Sequence, residues 1–438
     1  MSHYKPYPAC KDSGVEWIGE VPEHWEVKRL KYSATINDEA LPETTDPALE
    51  MIYVDISSVN EIEGIVANEE MIFENAPSRA RRIVRDGDTI VSTVRTYLRA
   101  IAPIRSPRLN TIVSTGFAVI RPQTVKPAFM SYALRESGFV EAIVTRSVGV
   151  SYPAINSSEI GNIPFELPPP TEQFAIASFL DQETSRIDSL ISEKERLISL
   201  LREYRQALIS HAVTKGLNPS VKMKDSGVEW LAEIPEHWEV KRLKLLGEAI
   251  IGLTYDPSEI VDENEGTLVL RSSNVQGGKI VFNDNVFVNK SIPEKLVTRN
   301  GDILICSRNG SRALIGKNAV IGNEAKGLTF GAFMTIFRST YNDYLAYVFN
   351  SSLFEFQSGS FLTSTVNQLT IETLNNFEVP FPSITEQTAI VSFLDQETTK
   401  IDHLIVAAEK SVVLLQECRS SLISAAVTGK IDVRGYHV

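Results

Sequence analysis

The 438-residue chain is short of the groups that most often announce chemistry: it has three cysteines, six histidines and four tryptophans. Cys10, Cys306 and Cys418 lie far apart with no Cys-x-x-Cys, which argues against a disulfide framework and a zinc cluster. His24 and His237 recur within one repeated element, which favours a structural role, and His3, His211, His403 and His437 lack metal-ligand spacing. No apolar run reaches the roughly 18 residues of a membrane span, and the opening MSHYKPYPAC has no signal-peptide core, so a cytoplasmic protein without membrane segments is expected. No Gly-x-Gly-x-x-Gly occurs. The stretch from Gly310 to Asn318 is not a phosphate loop, because five residues separate its glycines where four are needed and Asn318 stands where Ser or Thr would hold a metal. A formal charge of −12 argues against indiscriminate coating of nucleic acid.

Glycine and proline are absent from residues 171–215, which fall between Pro168-Pro169-Pro170 and Gly216. That predicts one long helix, with Thr171 as N-cap and Glu172 at the positive end of the dipole. Apolar positions step by three and four through Ile187, Leu190, Leu197, Leu201, Tyr204 and Leu208, widened by Ile191, Ile198 and Ile209, so a face must be buried on a partner helix. The partner is residues 385–428, where TEQTAIVSFLDQET repeats TEQFAIASFLDQET at 12 of 14 positions, 214 residues later. Ile401, Leu404, Leu415 and Leu422 form its stripe.

A second element is also doubled. Residues 11–31 return at 224–244 with 18 of 21 identical, and the two copies hold all four tryptophans, Trp17, Trp25, Trp230 and Trp238, read as core anchors. Between these frames lie two diverged segments, 45–165 and 250–380, in which short β-type runs alternate with turns and helical patches around 128–137 and 343–356. A faint common skeleton survives in them: Gly87-Asp88 matches Gly301-Asp302, and Ser57-Ser58 matches Ser272-Ser273. The organisation expected is a first head within 1–165, a helix 171–215, a second head within 222–380 and a helix 385–428. The fold class is α+β, with two mixed heads at opposite ends of an antiparallel helix pair, a pseudo-two-fold tandem repeat. Antiparallel helices follow from the short link 216–223, and they place residues 1–31 near the end of the second helix.

Each head carries a basic island, net +6 over 79–108 and +4 over 290–326. Arginine pairs bidentately with phosphate or with guanine O6 and N7, which makes the islands candidate DNA contacts. The candidates are Arg79, Arg81, Arg82, Thr93, Arg95, Tyr97 and Arg99 in the first head, and Ser307, Arg308, Asn309, Arg312 and Lys317 in the second.

The Pro-Pro-x-Thr-Glu-Gln-x-x-Ile-x-x-Phe-Leu-Asp entry at 168–181, repeated from its threonine onward at 385–395, the Leu-Ile-Ser-x-Ala-Val-Thr exits at 208–214 and 422–428, and the Gly-Val-Glu-Trp and Pro-Glu-His-Trp-Glu-Val-Lys-Arg-Leu segments resemble the specificity subunit of type I restriction-modification systems. The resemblance covers essentially the whole chain. It implies that each head is a target recognition domain reading half of a bipartite site in double-stranded DNA. It further implies that the helices set the spacer and receive two modification (methyltransferase) subunits, with restriction (translocase and nuclease) subunits joining the larger complex. S-adenosylmethionine, ATP and magnesium would belong to those partners, leaving no catalytic residue, metal or cofactor here. The competing expectation is a coiled-coil scaffold whose two heads bind proteins; only DNA binding through phosphates falls steeply with salt.

Overall fold

A computed structural model describes residues 4–360 and 367–436, so His3 and His437 lie outside the described residues. The chain forms two compact units, Met1–Glu195 with Lys410–Val438, and Arg196–Glu409. Each contains one head and a stretch of both long helices, which run Pro170–Lys215 and Ile384–Val427.

The first helix begins one residue before the expected cap. Pro169 accepts from the amides of Glu172 and Gln173, so Pro170 takes the first helical position, where its missing N–H costs nothing, and Thr171 lies inside the turn. In the second helix Ser383 is the cap: its Oγ meets the Glu386 amide at 3.4 Å and donates to the Glu386 carboxylate at 3.0 Å.

Helix direction is fixed inside each unit. In Arg196–Glu409, Arg202 pairs with Glu409 and Arg205 with Asp402, both at 2.8 Å, so rising numbers on one helix meet falling numbers on the other. In the first unit Asp188 pairs with Arg419 at 2.8 Å, while the Phe179 ring meets that of Tyr436, beyond the second helix, at 5.4 Å. Asp188 and Asp402 are repeat equivalents, as are Arg419 and Arg205, so both units use the same ion pair.

The buried seam follows a strict alternation of three and four. It passes through Thr184, Ile187, Ile191, Lys194, Ile198, Leu201, Arg205 and Leu208, and through Thr398, Ile401, Ile405, Ala408, Val412, Leu415, Arg419 and Leu422. Three residues expected on the stripe are off it: Leu190, Leu197 and Leu404 are 37%, 42% and 57% exposed, and Tyr204 is exposed too. Stepping from leucine to leucine slips into the adjacent row, whereas the 3.5-residue repeat closes on the isoleucines one position later.

The two heads share one topology despite their sequences. In the first, Ile101–Pro103, Thr89–Ser92, Phe117–Pro122 and Ala34–Ile36 form an antiparallel sheet in that spatial order; in the second the same order is Asn318–Val320, Ile303–Cys306, Met334–Arg338 and Glu248–Ile251. Each head also has a mixed sheet with one parallel pair, Glu50–Val54 with Thr111–Ser114 and Thr267–Leu270 with Thr329–Phe330. The expected helical patches are each two helices, Pro127–Ala133 with Ser137–Arg146 and Asn342–Phe349 with Ser352–Ser360.

The doubled motifs hold each other. In the first unit Glu172 accepts from Trp25 Nε1 at 3.0 Å and Tyr7 Oη at 2.9 Å and meets His24 Nε2 at 2.6 Å; in the second, Glu386 accepts from Trp238 Nε1 at 3.2 Å and meets His237 Nε2 at 2.8 Å. Trp25 and Trp238 are fully enclosed, while Trp17 and Trp230 are only half-buried. Residues 4–31 lie against the end of the second helix: a Cβ on Gly429 would come within 2.3 Å of Pro22, and the Asp432 amide donates to Lys5 O at 2.8 Å.

Candidate nucleic-acid interface

In both heads the first central strand ends in the same hydrogen-bonded corner. Thr93 donates through its amide and its hydroxyl to Gly116 O, each at 2.8 Å, and its carbonyl accepts from Ile155 N at 2.9 Å. Ser307 does the same to Phe333 O, at 3.0 Å through both groups, and accepts from Leu369 N at 2.7 Å. Both side chains are buried, so neither Thr93 nor Ser307 can present its hydroxyl to a base, contrary to the sequence-based expectation. They fix the backbone from which the next residues project.

Those next residues are the exposed ones. Arg95 adopts a left-handed backbone at φ 49°, its amide held by Pro153 O at 2.8 Å, and its guanidinium lies 5.0 Å from the centre of the Tyr152 ring. Arg99 is also left-handed, at φ 51°, and it spans Glu61 and Glu141 at 3.5 and 3.3 Å. Left-handed conformations cost non-glycine residues roughly 1–2 kcal/mol, and the turn 96–98 between them is held by Thr96 donating to Ser147 Oγ at 2.7 Å. Around it stand Tyr97, Leu98, Val148, Val150 and Tyr152, all exposed. In the second head Arg308 lies 5.1 Å from the centre of the exposed Phe333 ring. Asn309 donates to Ser272 Oγ at 3.2 Å, Arg312 to Gly359 O at 2.9 Å, and half-buried Lys317 to Ser272 O at 3.4 Å.

Much of the first basic island is neutralised from elsewhere in its own unit. Arg79 pairs with Asp55, Arg85 with Glu39, Arg105 with Asp181 and Arg108 with Glu70. Arg81 lies 4.5 Å from the Phe73 ring centre, and Arg82 is half-buried with its Nε unpartnered. Arg81, Arg82 and Arg95 have no acidic partner among the described residues, and of these only Arg95 is exposed, the other two being half-buried. In the second head, Lys290 and Lys295 are paired to Glu259 and Glu248, whereas Arg308, Arg312 and Lys317 have no acidic partner among the described residues. Counting charges along the chain overstated the islands, because the compensating carboxylates come from distant segments.

Each tip therefore offers a guanidinium laid over an exposed aromatic ring. The stacking is worth about 0.5–1 kcal/mol at an exposed site and leaves the N–H edge of the arginine free for a bidentate acceptor. Tyr152 and Phe333 were missed in the sequence, although Gly149 with Ser151-Tyr152-Pro153, and Gly331 before Phe333, mark turns that a reading loop needs.

Two stretches, 22–199 and 235–406, match the model of the Type I restriction modification DNA specificity domain. The MjaVIII specificity subunit of Methanocaldococcus jannaschii is 29% identical over 70% of each chain, and the putative MjaX specificity subunit of the same organism is 26% identical over 95% of this chain and 96% of its own. Among solved structures, a chain from a study of complex assembly and conformational transition of the type I R-M system is 24% identical, with TM-score 0.75 over 94% of this chain and 99% of its own. The HsdS subunit from Thermoanaerobacter tengcongensis is 24% identical, with TM-score 0.52 over 94% and 98%. At these identities the structural matches speak for the fold alone.

Proposed function

The chain belongs to the type I restriction-modification DNA specificity family, and from that premise we propose that its two unlike tips each read one half of an asymmetric bipartite target in double-stranded DNA. The chain is the non-catalytic specificity subunit. The observation that carries the reading is the corner shared by both heads. One buried hydroxyl residue, Thr93 or Ser307, anchors an exposed arginine over an aromatic ring, while the surrounding loops differ completely. A common mount with different readers is what two half-sites require. Arg95 and Arg308 are the base-reading candidates, Tyr97 and Tyr152 flank the first, and Arg312 and Lys317 support the second.

The helices are proposed to fix the spacer and to receive two modification subunits. Support comes from apolar residues that the seam leaves outside at equivalent places on both helices: Leu190 and Leu404, 37% and 57% exposed, and Leu200 and Leu414, 51% and 53% exposed. Matching surfaces suit two copies of one partner. Restriction subunits would join the larger complex, and S-adenosylmethionine, ATP and magnesium would be held by the partners. No helix of the described residues is long and apolar enough to cross a membrane, and a cytoplasmic location is proposed with the DNA role.

The test is to map methylated sites in DNA from cells that express the chain with its modification subunit. The expected result is one bipartite motif with unequal halves, and exchange of residues 45–165 for another head should change one half alone. A swap that altered both halves would refute modular reading.

A further inference from the structure

Duplication acts as a filter on the surface of this molecule. Where the two copies had freedom to differ they did, so exposed charged side chains that stayed identical are candidates for touching something that is the same at both half-sites. The strand Glu26–Arg29 with Lys31, and its counterpart Glu239–Arg242 with Lys244, meet that condition: both read Glu-Val-Lys-Arg-Leu-Lys. Each strand pairs antiparallel with the strand that leads into a long helix, Arg29 opposite Pro164 and Arg242 opposite Glu378.

The cations point outward. Arg29, Lys31 and Lys244 are exposed, and the side chains of Lys28, Lys241 and Arg242 are 45%, 35% and 52% exposed. Arg29 and Lys244 have no acidic partner among the described residues. The carboxylates near the others, Glu26 at 2.5 Å from Lys28, Glu239 at 3.0 Å from Lys241 and Glu378 at 3.3 Å from Arg242, form solvent-exposed pairs that water and salt screen and that can be exchanged for another anion.

The place of these strands relative to the tips is the same in both units. In the first, Ile155 hydrogen-bonds to Thr93, the helix Ser157–Asn162 follows, Asn162 accepts from Lys31 Nζ at 2.8 Å, and Ile163 O accepts from Leu30 N at 3.0 Å. In the second, Leu369 bonds to Ser307, the helix Ile371–Asn375 follows, and Phe377 O accepts from Leu243 N at 3.0 Å. One short helix and a few extended residues span about 20 Å at most, which is roughly six base pairs of duplex.

We infer that Lys28, Arg29 and Lys31, and equally Lys241, Arg242 and Lys244, form two copies of a sequence-independent clamp on the DNA phosphodiester backbone, beside each reading tip. This rests on the DNA-reading function proposed above and adds the backbone contact to it. Bases differ between half-sites whereas phosphates do not, which matches identical clamps beside unlike tips. A protein partner fits less well, because lysine is depleted from protein interfaces and the apolar neighbours of the clamp, Tyr32 and Leu245, are exposed but differ between copies.

The experiment measures binding of the full-length chain to a duplex carrying the methylation-mapped target and to a scrambled duplex, across a salt series. Each phosphate contact contributes about 0.9 to the slope of log affinity against log salt. The triple variant Lys28→Gln, Arg29→Gln, Lys31→Gln should lower that slope by roughly 2–3, and Lys241→Gln, Arg242→Gln, Lys244→Gln by the same amount. In both, the preference for target over scrambled duplex should be unchanged. The pair Lys28→Arg with Lys31→Arg should keep the wild-type slope, which separates lost charge from misfolding. An unchanged slope in the Gln variants overturns the clamp, as does loss of modification-subunit co-purification at an unchanged slope, which would make the strand a protein contact. A wild-type chain without salt-dependent duplex binding would instead overturn the reading function itself.

Discussion

Asp88 and Asp302 show how much of a head hangs on one carboxylate. Each follows a glycine in the left-handed region, Gly87 at φ 87° and Gly301 at φ 85°, and each accepts a backbone amide three residues back, from Arg85 and Arg299. Each then takes an arginine from the neighbouring strand bidentately: Arg121 at 3.0 and 2.9 Å, Arg338 at 2.8 and 2.6 Å. The carboxylates hold both guanidinium groups firmly protonated. The aspartates are about 1–2% exposed; removing Asp302 leaves Arg338 without an acidic partner among the described residues, whereas Arg121 without Asp88 keeps Glu39 at 3.2 Å. Asp302→Asn should cost about 3–5 kcal/mol and Asp88→Asn less, read as lowered unfolding midpoints in guanidinium chloride. The Gly-Asp repeat was legible in the sequence; its arginine partners were not, since they lie more than thirty residues away with no periodicity to point at them. Glu166 is the opposite case. It is 2% exposed with Oε1 unpartnered, and burial, with the Glu136 charge nearby and Lys430 only partly offsetting it, pushes its carboxyl up to about 8. Pro380 holds its place in the second copy, opposite Val240 as Glu166 is opposite Val27. The folded protein keeps the proton while the unfolded chain releases it near the ordinary carboxylate value, so stability should fall as pH rises from about 4.5 through about 8 and then level off. Glu166→Gln should flatten that fall in thermal unfolding scans; a profile that matched wild type would remove the buried acid from the account.

At the scale of elements, the doubled sequence made the helices legible and their inner face less so. A repeat at fixed spacing and a stretch without glycine or proline announce a helix, but the row facing the partner depends on the small difference between periods of 3.5 and about 3.6 residues per turn, too fine for leucine positions alone to settle. Ile198 is 8% exposed and its neighbour Leu197 is 42% exposed. Ile198→Ala should therefore destabilise by about 2–4 kcal/mol, whereas Leu197→Ala should stay within roughly 0.5 kcal/mol in the isolated chain. Equal losses would mean that the seam runs elsewhere. The seam also carries Arg205 and Arg419 at equivalent positions, bonded to Asp402 and Asp188. Polar groups at such positions fix register more than they add stability, which suits helices whose alignment matters. The reading loops were the least legible elements. Thr93 and Ser307 looked like base readers because short polar residues among arginines fit that role, and nothing local in the sequence reveals that a strand end buries them. Tyr152 lies 57 residues after Arg95, and only folding brings the two together.

For the whole molecule, the consequence of two continuous helices is that length becomes information. A deletion that respects the seam must remove whole heptads, because seven residues turn a helix almost back to its starting face, whereas three or four would swing the isoleucine row toward solvent. Removing 192–198 from the first helix and the equivalent 406–412 from the second preserves the alternation of three and four along both remaining seams. It shortens each helix by about 10.5 Å at 1.5 Å per residue. If the helices set the distance between the half-sites, the mapped motif should lose about three base pairs of spacer, at 3.4 Å per pair, with both half-sites intact. The same cut in one helix alone should unfold or mispair the chain, because the Asp188–Arg419 and Asp402–Arg205 contacts could no longer both form. A motif with the original spacer from a stable double deletion would show that DNA deformation or the partner subunits set the distance, and would strip the helices of the ruler role while leaving the reading tips untouched.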